Sequence, residues 1–245
     1  MRTGTFSPKS NPCTFSAGWF SSCTDQGKNA EKGEFSDKQE EAIEYFKEIA
    51  LGFEFGGASE VTRKWATDIN IFVGGKPSEE LQNELDIVIN DLNTLIQRDN
   101  IQISTTVDSS SSNFYLFFGS GQEFEDRFGP AQGLTDSNYG LFWIYWNGAQ
   151  QLDSGTMYVD IYRPEKLIQR HLLREELTQS MGLAKDSPKY TNSIFQSSYS
   201  SGSATEYSDL DEAIIQFLYH PEMKPGLDGS EVEPVLKDIV PEIIN

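Results

Sequence analysis

The run His171-Leu-Leu-Arg-Glu-Glu-Leu-Thr-Gln-Ser-Met-Gly-Leu-Ala-Lys-Asp186 decides how this chain is read. Leu172, Leu173, Leu177 and Met181 supply the apolar side of a helix that Pro164 suits at its first turn and Gly182 stops. On that helix Glu175 and Gln179 lie four residues apart and share a face, with His171 one turn earlier on roughly the same side. Glu176 is rotated from Glu175 by about 100°, as neighbouring helical positions must be. Thr178 and Gln179 interrupt the apolar supply, and polar groups turned inward there need partners.

Two groups at i and i+4 with a glutamate at i+1 form the spacing by which a zinc hydrolase grips its metal while the glutamate takes a proton from the bound water. Here the gripping positions hold the carboxylate of Glu175 and the amide of Gln179. A neutral amide oxygen is a poor zinc ligand, and a set of His171, Glu175 and Gln179 is more oxygen-rich than zinc takes. The chain holds two histidines, His171 and His220, so a standard three-histidine zinc site within one molecule is excluded. Another metal stays open at this stage. His220, in Leu-Tyr-His-Pro, is expected against a helix carbonyl end.

Outward from this helix, other elements follow by periodicity. Ser36 and Gln39 make a capping box for a helix over residues 37–51, with Ala42, Ile43, Phe46, Ile49 and Ala50 on its buried side. A strand is expected over 65–73, then a Gly74-Gly75 turn. Ser78 caps a long helix striped by Leu81, Leu85, Val88, Ile89, Leu92, Leu95 and Ile96. Strands are expected over 101–107, 113–118, 140–146 and 156–162, with 119–139 a Gly-rich excursion. Ser208 and Asp211 open a last helix with Ala213, Ile214, Phe217 and Leu218 buried. The expected organisation is an irregular N-terminal arm over 1–35, one domain over 36–227 and a C-terminal tail over 228–245.

With 38 Asp and Glu against 19 Lys and Arg the net charge is −19, which argues against nucleic acid or an anionic membrane surface as partner. No apolar run is long enough to span a bilayer, and the first residues lack a signal-peptide core. Either the protein is cytosolic, or it is a mature exported form whose leader or lipid-attachment segment is not in this sequence. The Ser/Asn/Gly/Thr-rich composition favours export, to the periplasm or cell surface, with membrane contact only through such a lipid anchor. Cys13 and Cys23 are close enough in sequence for a disulfide, and equally for an incidental free pair.

The run 171–186, the later Asn192-Ser193-Ile194-Phe195, and the segments Tyr207-Ser-Asp-Leu-Asp-Glu-Ala213 and Leu218-Tyr-His-Pro-Glu-Met-Lys-Pro-Gly226 together resemble a family of bacterial exported proteins and lipoproteins described only as a domain of unknown function. The likeness covers most of residues 36–227. More distantly, the chain resembles the metzincin clan of zinc peptidases in element order, in the glycine that ends the active helix, and in a tight turn after it. In that comparison Glu175, Gln179 and Lys185 stand where the clan has its metal histidines, and Phe195 replaces the methionine of its turn. Glu176 and Gly182 are the positions carried over. The resemblance implies an α+β, zincin-like (metzincin-like) fold: a mixed sheet of about five strands, a long backing helix, an active-site-type helix and a C-terminal helix.

Three classes of function follow as expectations. A hydrolase would use Glu176 as general base, with Glu175, Gln179, His171 or Asp186 holding a metal or the substrate carbonyl, and a metal-free version divides those tasks between Glu and Gln. A non-catalytic binder would grip a peptide or glycan in the same cleft. For it the strand Phe142-Trp143-Ile144-Tyr145-Trp146 is informative, because the corresponding strand edges the cleft in metzincin-like folds, and Trp143 and Trp146 are the candidates. A structural envelope component would need neither. The competing account of Glu175 and Glu176 is ordinary helix surface charge paired with Arg170 and Arg174, and that of the aromatic strand is core packing.

Overall fold

A computed structural model of the chain describes residues 35–54, 57–129, 131, 133–198 and 204–245. The expected arm over 1–35, with its cysteines, lies outside the described residues except for Phe35. Among the described residues are seven α-helices and a six-stranded, mostly parallel sheet, an α+β architecture.

Helix α1 (Asp37–Ala50) begins at the Ser36/Gln39 capping box, and its buried side carries the expected residues with Tyr45 added. Strands β1 (Lys64–Trp65) and β2 (Ile69–Gly75) divide the single strand expected over 65–73. The break lets β1 pair with β6 while β2 pairs with β3 and β4, so one continuous strand could not serve both. Helix α2 (Glu79–Leu95) follows its Ser78 cap. The remaining strands are β3 (Ile103–Thr106), β4 (Phe114–Gly119), β5 (Gly140–Trp146) and β6 (Gln151–Asp160).

The sheet order is β1-β6-β4-β2-β3, all parallel, with β5 antiparallel to β6. β6 starts five residues earlier than the expected 156 because a tight turn after Trp146 folds it straight back onto β5: Gln150 takes a positive φ of 61°, and the Asn147 side chain accepts from Ala149 N at 2.9 Å.

Two expectations are corrected. The excursion over 119–139 contains helices α3 (Gly121–Phe128) and α4 (Leu134–Ser137). A Ser120/Glu123 capping box starts α3, and Phe124 anchors it in a small apolar cluster with Phe117, Leu141 and Tyr158. The expected tail over 228–245 is instead helix α7 (Gly229–Ile243), which buries Val232, Leu236, Ile239 and Val240 in the main core. Interior Pro234 and Pro241 argue locally against a helix, and the four buried apolar residues at helical spacing outweigh them.

Helix α5 (Lys166–Gln179) runs through the centre and is buried on nearly every side from His171 onward. Gly182 ends it at φ 111°, where a Cβ would stand 1.9 Å from the Arg63 carbonyl oxygen; only glycine fits both the conformation and the space. The carbonyls just past its last turn are taken from behind by core side chains: Trp65 Nε1 donates to Ser180 O at 3.0 Å, and Tyr219 Oη donates to Met181 O at 2.8 Å. After it comes the buried turn of Ser193, Ile194 and Phe195, then helix α6 (Asp209–Leu218). Asp211 of α6 fixes that turn, accepting from Ser193 Oγ at 2.6 Å and Ile194 N at 3.0 Å.

Candidate active site

Helix α5 and strand β5 form two walls of a cleft of about 630 Å³. From α5 come Glu175, Glu176 and Gln179; from β5, Gly140 to Ile144 and Trp146; the segment before β1 adds Phe53 and Glu54, and the segment after α5 adds Asp186. Six of the seven candidates read from the sequence thus line one cavity. The seventh, His171, stands behind it: its Nε2 lies 3.3 Å from Glu175 Oε2 and its Nδ1 is 2.7 Å from Ala204 O.

Surface charge does not describe the two glutamates. Glu175 is 1% exposed and Glu176 5%. Nor are Arg170 and Arg174 their partners, because both reach the other way, to α2: Arg170 Nε to Glu84 Oε2 at 2.7 Å, and Arg174 Nη1 to Asp91 Oδ2 at 2.8 Å. Thr178 belongs to that far side as well, bonded to Arg174 O at 2.6 Å and Tyr207 Oη at 2.7 Å. The polar residues of α5 therefore split into a group paired with α2 and Tyr207 and a group turned to the cleft.

The cleft group is electrostatically tense. Among the described residues the partner of Glu175 is His171, whose Nε2 lies 3.3 Å from Oε2, a long contact for so buried a carboxyl. A carbonyl at Nδ1 requires a proton there, which leaves Nε2 as the nitrogen that faces Glu175, and a proton on it makes the contact an ion pair. Burial raises Glu175 and the neighbouring histidine opposes the rise. His171 itself is pulled down by burial, but the bond and charge of Glu175 outweigh this and leave it raised. Burial pushes Glu176 well above the ordinary carboxylate range, with repulsion from Glu175, Asp186 and Glu54 adding to it. Asp186 is pushed up to about 6 by burial and by Glu54, against the Gln179 hydrogen bond and His171. Glu54 is raised by burial and by Glu175.

A zinc site does not fit these residues. The Gln179 amide donates to Asp186 Oδ1 at 2.5 Å and Glu175 faces His171, so the donors engage one another instead of converging on a point. Among the described residues no group of three or more His, Cys, Asp or Glu side chains is placed to hold a metal ion. Lys185, aligned with the third metal histidine in the metzincin comparison, points outward to Glu60 at 3.6 Å; its neighbour Asp186 is the residue that enters the cleft. His220 departs from expectation too: its Nδ1 accepts from Glu222 N at 3.2 Å and its Nε2 lies 3.4 Å from Glu242.

Both candidate tryptophans line the cleft, each backed by a stacked ring. Trp143 stacks on Phe124 with centroids 5.1 Å apart, while Trp146, 36% exposed, stacks on Phe53 at 5.3 Å. Behind Trp146 the guanidinium of Arg63 lies 4.4 Å from the ring centroid. Glu54, Phe53 and Gly140 are site residues that the sequence does not single out. Gly140 alone carries a retrospective sign, as a glycine at the start of an aromatic strand, where a close approach is the usual reason for it.

A family model described as "Protein of unknown function (DUF2927)" matches residues 39–238. No curated protein matches the chain. The chain belongs to the DUF2927 family.

Proposed function

We propose that this member of the DUF2927 family is a peptidase-type hydrolase of zincin-like architecture that works through carboxyl groups in place of a metal. The observation that carries the reading is the pair Glu175 and Glu176, buried on α5 yet turned into a cleft whose opposite wall is the strand β5. Among the described residues β5 pairs only with β6, so its other edge offers main-chain donors and acceptors to an extended peptide. The glycine stop at Gly182 and the buried Ser193–Phe195 turn held by Asp211 support the zincin-like reading.

Proton placement assigns the roles. Burial and the neighbouring carboxyls hold Glu176 well above the ordinary carboxylate range, which favours its protonated form, so it acts as the acid and not as the base its sequence position suggests. Asp186, ionised above about 6 and oriented by the Gln179 amide, is the base. Asp186 takes a proton from water, and the water oxygen bonds to the peptide carbonyl carbon. The C–N bond then breaks, and Glu176 delivers its proton to the leaving nitrogen. Digestion of a broad peptide library between pH 5 and 8, compared with Glu176→Gln, tests this: cleavage by the native protein with at least a ~100-fold loss in the variant is expected. Equal cleavage by both forms overturns it.

A second reading, a non-catalytic peptide- or glycan-binding protein, draws on the aromatic walls Phe53, Phe142, Trp143 and Trp146. In that case Glu176→Gln keeps full affinity while Trp146→Ala loses it, and no native cleavage is seen.

A further inference from the structure

Arg63 is a buried cation without an acid. It is 2% exposed, and its guanidinium donates only to neutral acceptors: Ser59 O at 3.0 Å, Val61 O at 3.3 Å and Ser59 Oγ at 2.9 Å. The other buried lysine and arginine among the described residues each have a carboxylate, Lys64 with Asp99 at 2.6 Å and Arg174 with Asp91 at 2.8 Å. A buried charge needs compensation, and Arg63 finds it in two aromatic rings. Its guanidinium carbon lies 4.4 Å from the ring centroid of Trp146 and 5.3 Å from that of Phe53. The two rings stack with their planes 15° apart, so one cation steadies both. Both rings line the cleft, and Arg63 does not.

A ring that already holds a cation attracts a second one less, and the two charges repel. The carboxyls of the cleft exclude charge as well. A cationic side chain beside Glu176 would favour its ionised form, against the protonated form that burial favours and the proposed reaction uses. An anionic one meets Glu54, Glu175, Glu176 and Asp186, with neither lysine nor arginine among the described residues of the lining. A neutral side chain that packs on ring faces meets neither obstacle. We infer that the cleft selects peptides by a bulky, uncharged apolar side chain, aromatic above all, seated against Trp146 and Phe53, with Arg63 as the positioning residue that holds these two rings. The inference rests on the reading of the cleft as a peptidase site. Rings braced in advance lose little freedom when they are covered. Trp143, stacked on Phe124 at 5.1 Å, and Phe142 continue the apolar lining along β5.

The test offers the full chain end-blocked Ala-Ala-X-Ala-Ala peptides at pH 7, with X as phenylalanine, cyclohexylalanine, alanine, lysine or glutamate, and follows cleavage by mass spectrometry. The phenylalanine peptide is expected to exceed the alanine, lysine and glutamate peptides in kcat/KM by about tenfold or more, with cyclohexylalanine between. Trp146→Ala, a change at a partly exposed ring, is expected to bring the phenylalanine-to-alanine ratio below about threefold, and Trp146→Phe to keep it. Arg63→Met, uncharged and of similar reach, is expected to lower the same ratio by raising KM for the phenylalanine peptide, whereas a merely structural role would slow all five alike. Equal cleavage across the series, a preference for lysine or glutamate, or a preference that Trp146→Ala leaves intact overturns the inference and leaves the peptidase reading standing. A ratio unchanged in folded Arg63→Met overturns the role given to Arg63. Absence of cleavage of every peptide by the native protein overturns both readings.

Discussion

The carboxyl of Glu176 occupies the space beside Gly140 that a side chain would fill: a Cβ on Gly140 would stand 2.7 Å from Glu176 Oε1 and 2.9 Å from its Cγ. Strand β5 and helix α5 are thus fitted together at Glu176, the proposed proton donor. Gly140→Ala is expected to displace the Glu176 side chain while the fold survives, lowering kcat by about tenfold or more at a stability loss of about 1–3 kcal/mol. Urea unfolding and peptide-cleavage kinetics on one preparation separate the two effects. An unchanged kcat would mean that Glu176 is not held where the reaction needs it.

Asp186 gives the native state a pH signature. Its pKa is raised from 3.8 to about 6, so the native protein holds a proton there that the unfolded chain has released. The stabilising contribution is complete below 3.8, declines as pH rises through about 6, and is absent above it. Glu175 and Glu176, raised by burial, add in the same direction. Asp186→Asn is expected to be more stable than the native protein at pH 7.5, by on the order of 1 kcal/mol, with the advantage shrinking toward pH 4. Urea midpoints of the two proteins at pH 4, 5.5 and 7.5 check this, and an advantage that grows on acidification would reverse the assignment.

Because the donors at the cleft engage one another, chelation is expected to change little. Dialysis against EDTA should leave the melting temperature within about 1 °C and the cleavage rate unaltered, and added zinc should not raise either. A chelator-sensitive rate restored by one metal would return the site to metal chemistry.

Gly182 combines a φ of 111° with a Cβ position 1.9 Å from Arg63 O. Gly182→Ala is expected to lose about 3 kcal/mol or more, or to fail to fold, whereas Gly57→Ala, with open space around the added methyl, should be close to neutral. Comparable losses at both positions in urea unfolding would refute the steric account.

The helices with strong local punctuation were readable in advance. The Ser36/Gln39 box opens α1, Ser78 caps α2, and the Ser208/Asp211 box opens α6. Helix α3 had equal punctuation in Ser120 and Glu123 but too short an apolar pattern behind it, and the prolines of α7 masked a helix that only the core stabilises. At the site, Glu175, Glu176 and Gln179 were legible because helical spacing fixes their relative directions. The destination of Arg170 and Arg174 was not: spacing put them near the glutamates, and the acids that claim them, Glu84 and Asp91, lie on another helix. Glu54 and Gly140 reach the cleft only through tertiary placement, for which no local pattern exists.

Trp65 and Tyr219 grip the chain just beyond the end of α5 from the core side, and Arg170 and Arg174 tie the same helix to α2. These restraints make the carboxyl-bearing wall the fixed jaw of the cleft. The facing wall is a strand hydrogen-bonded along one edge, with Trp146 resting on Phe53. On the proposed reading, the cleft is thus built like an anvil: its carboxyl-bearing side is tied down from two directions, and the aromatic side is braced along a single edge.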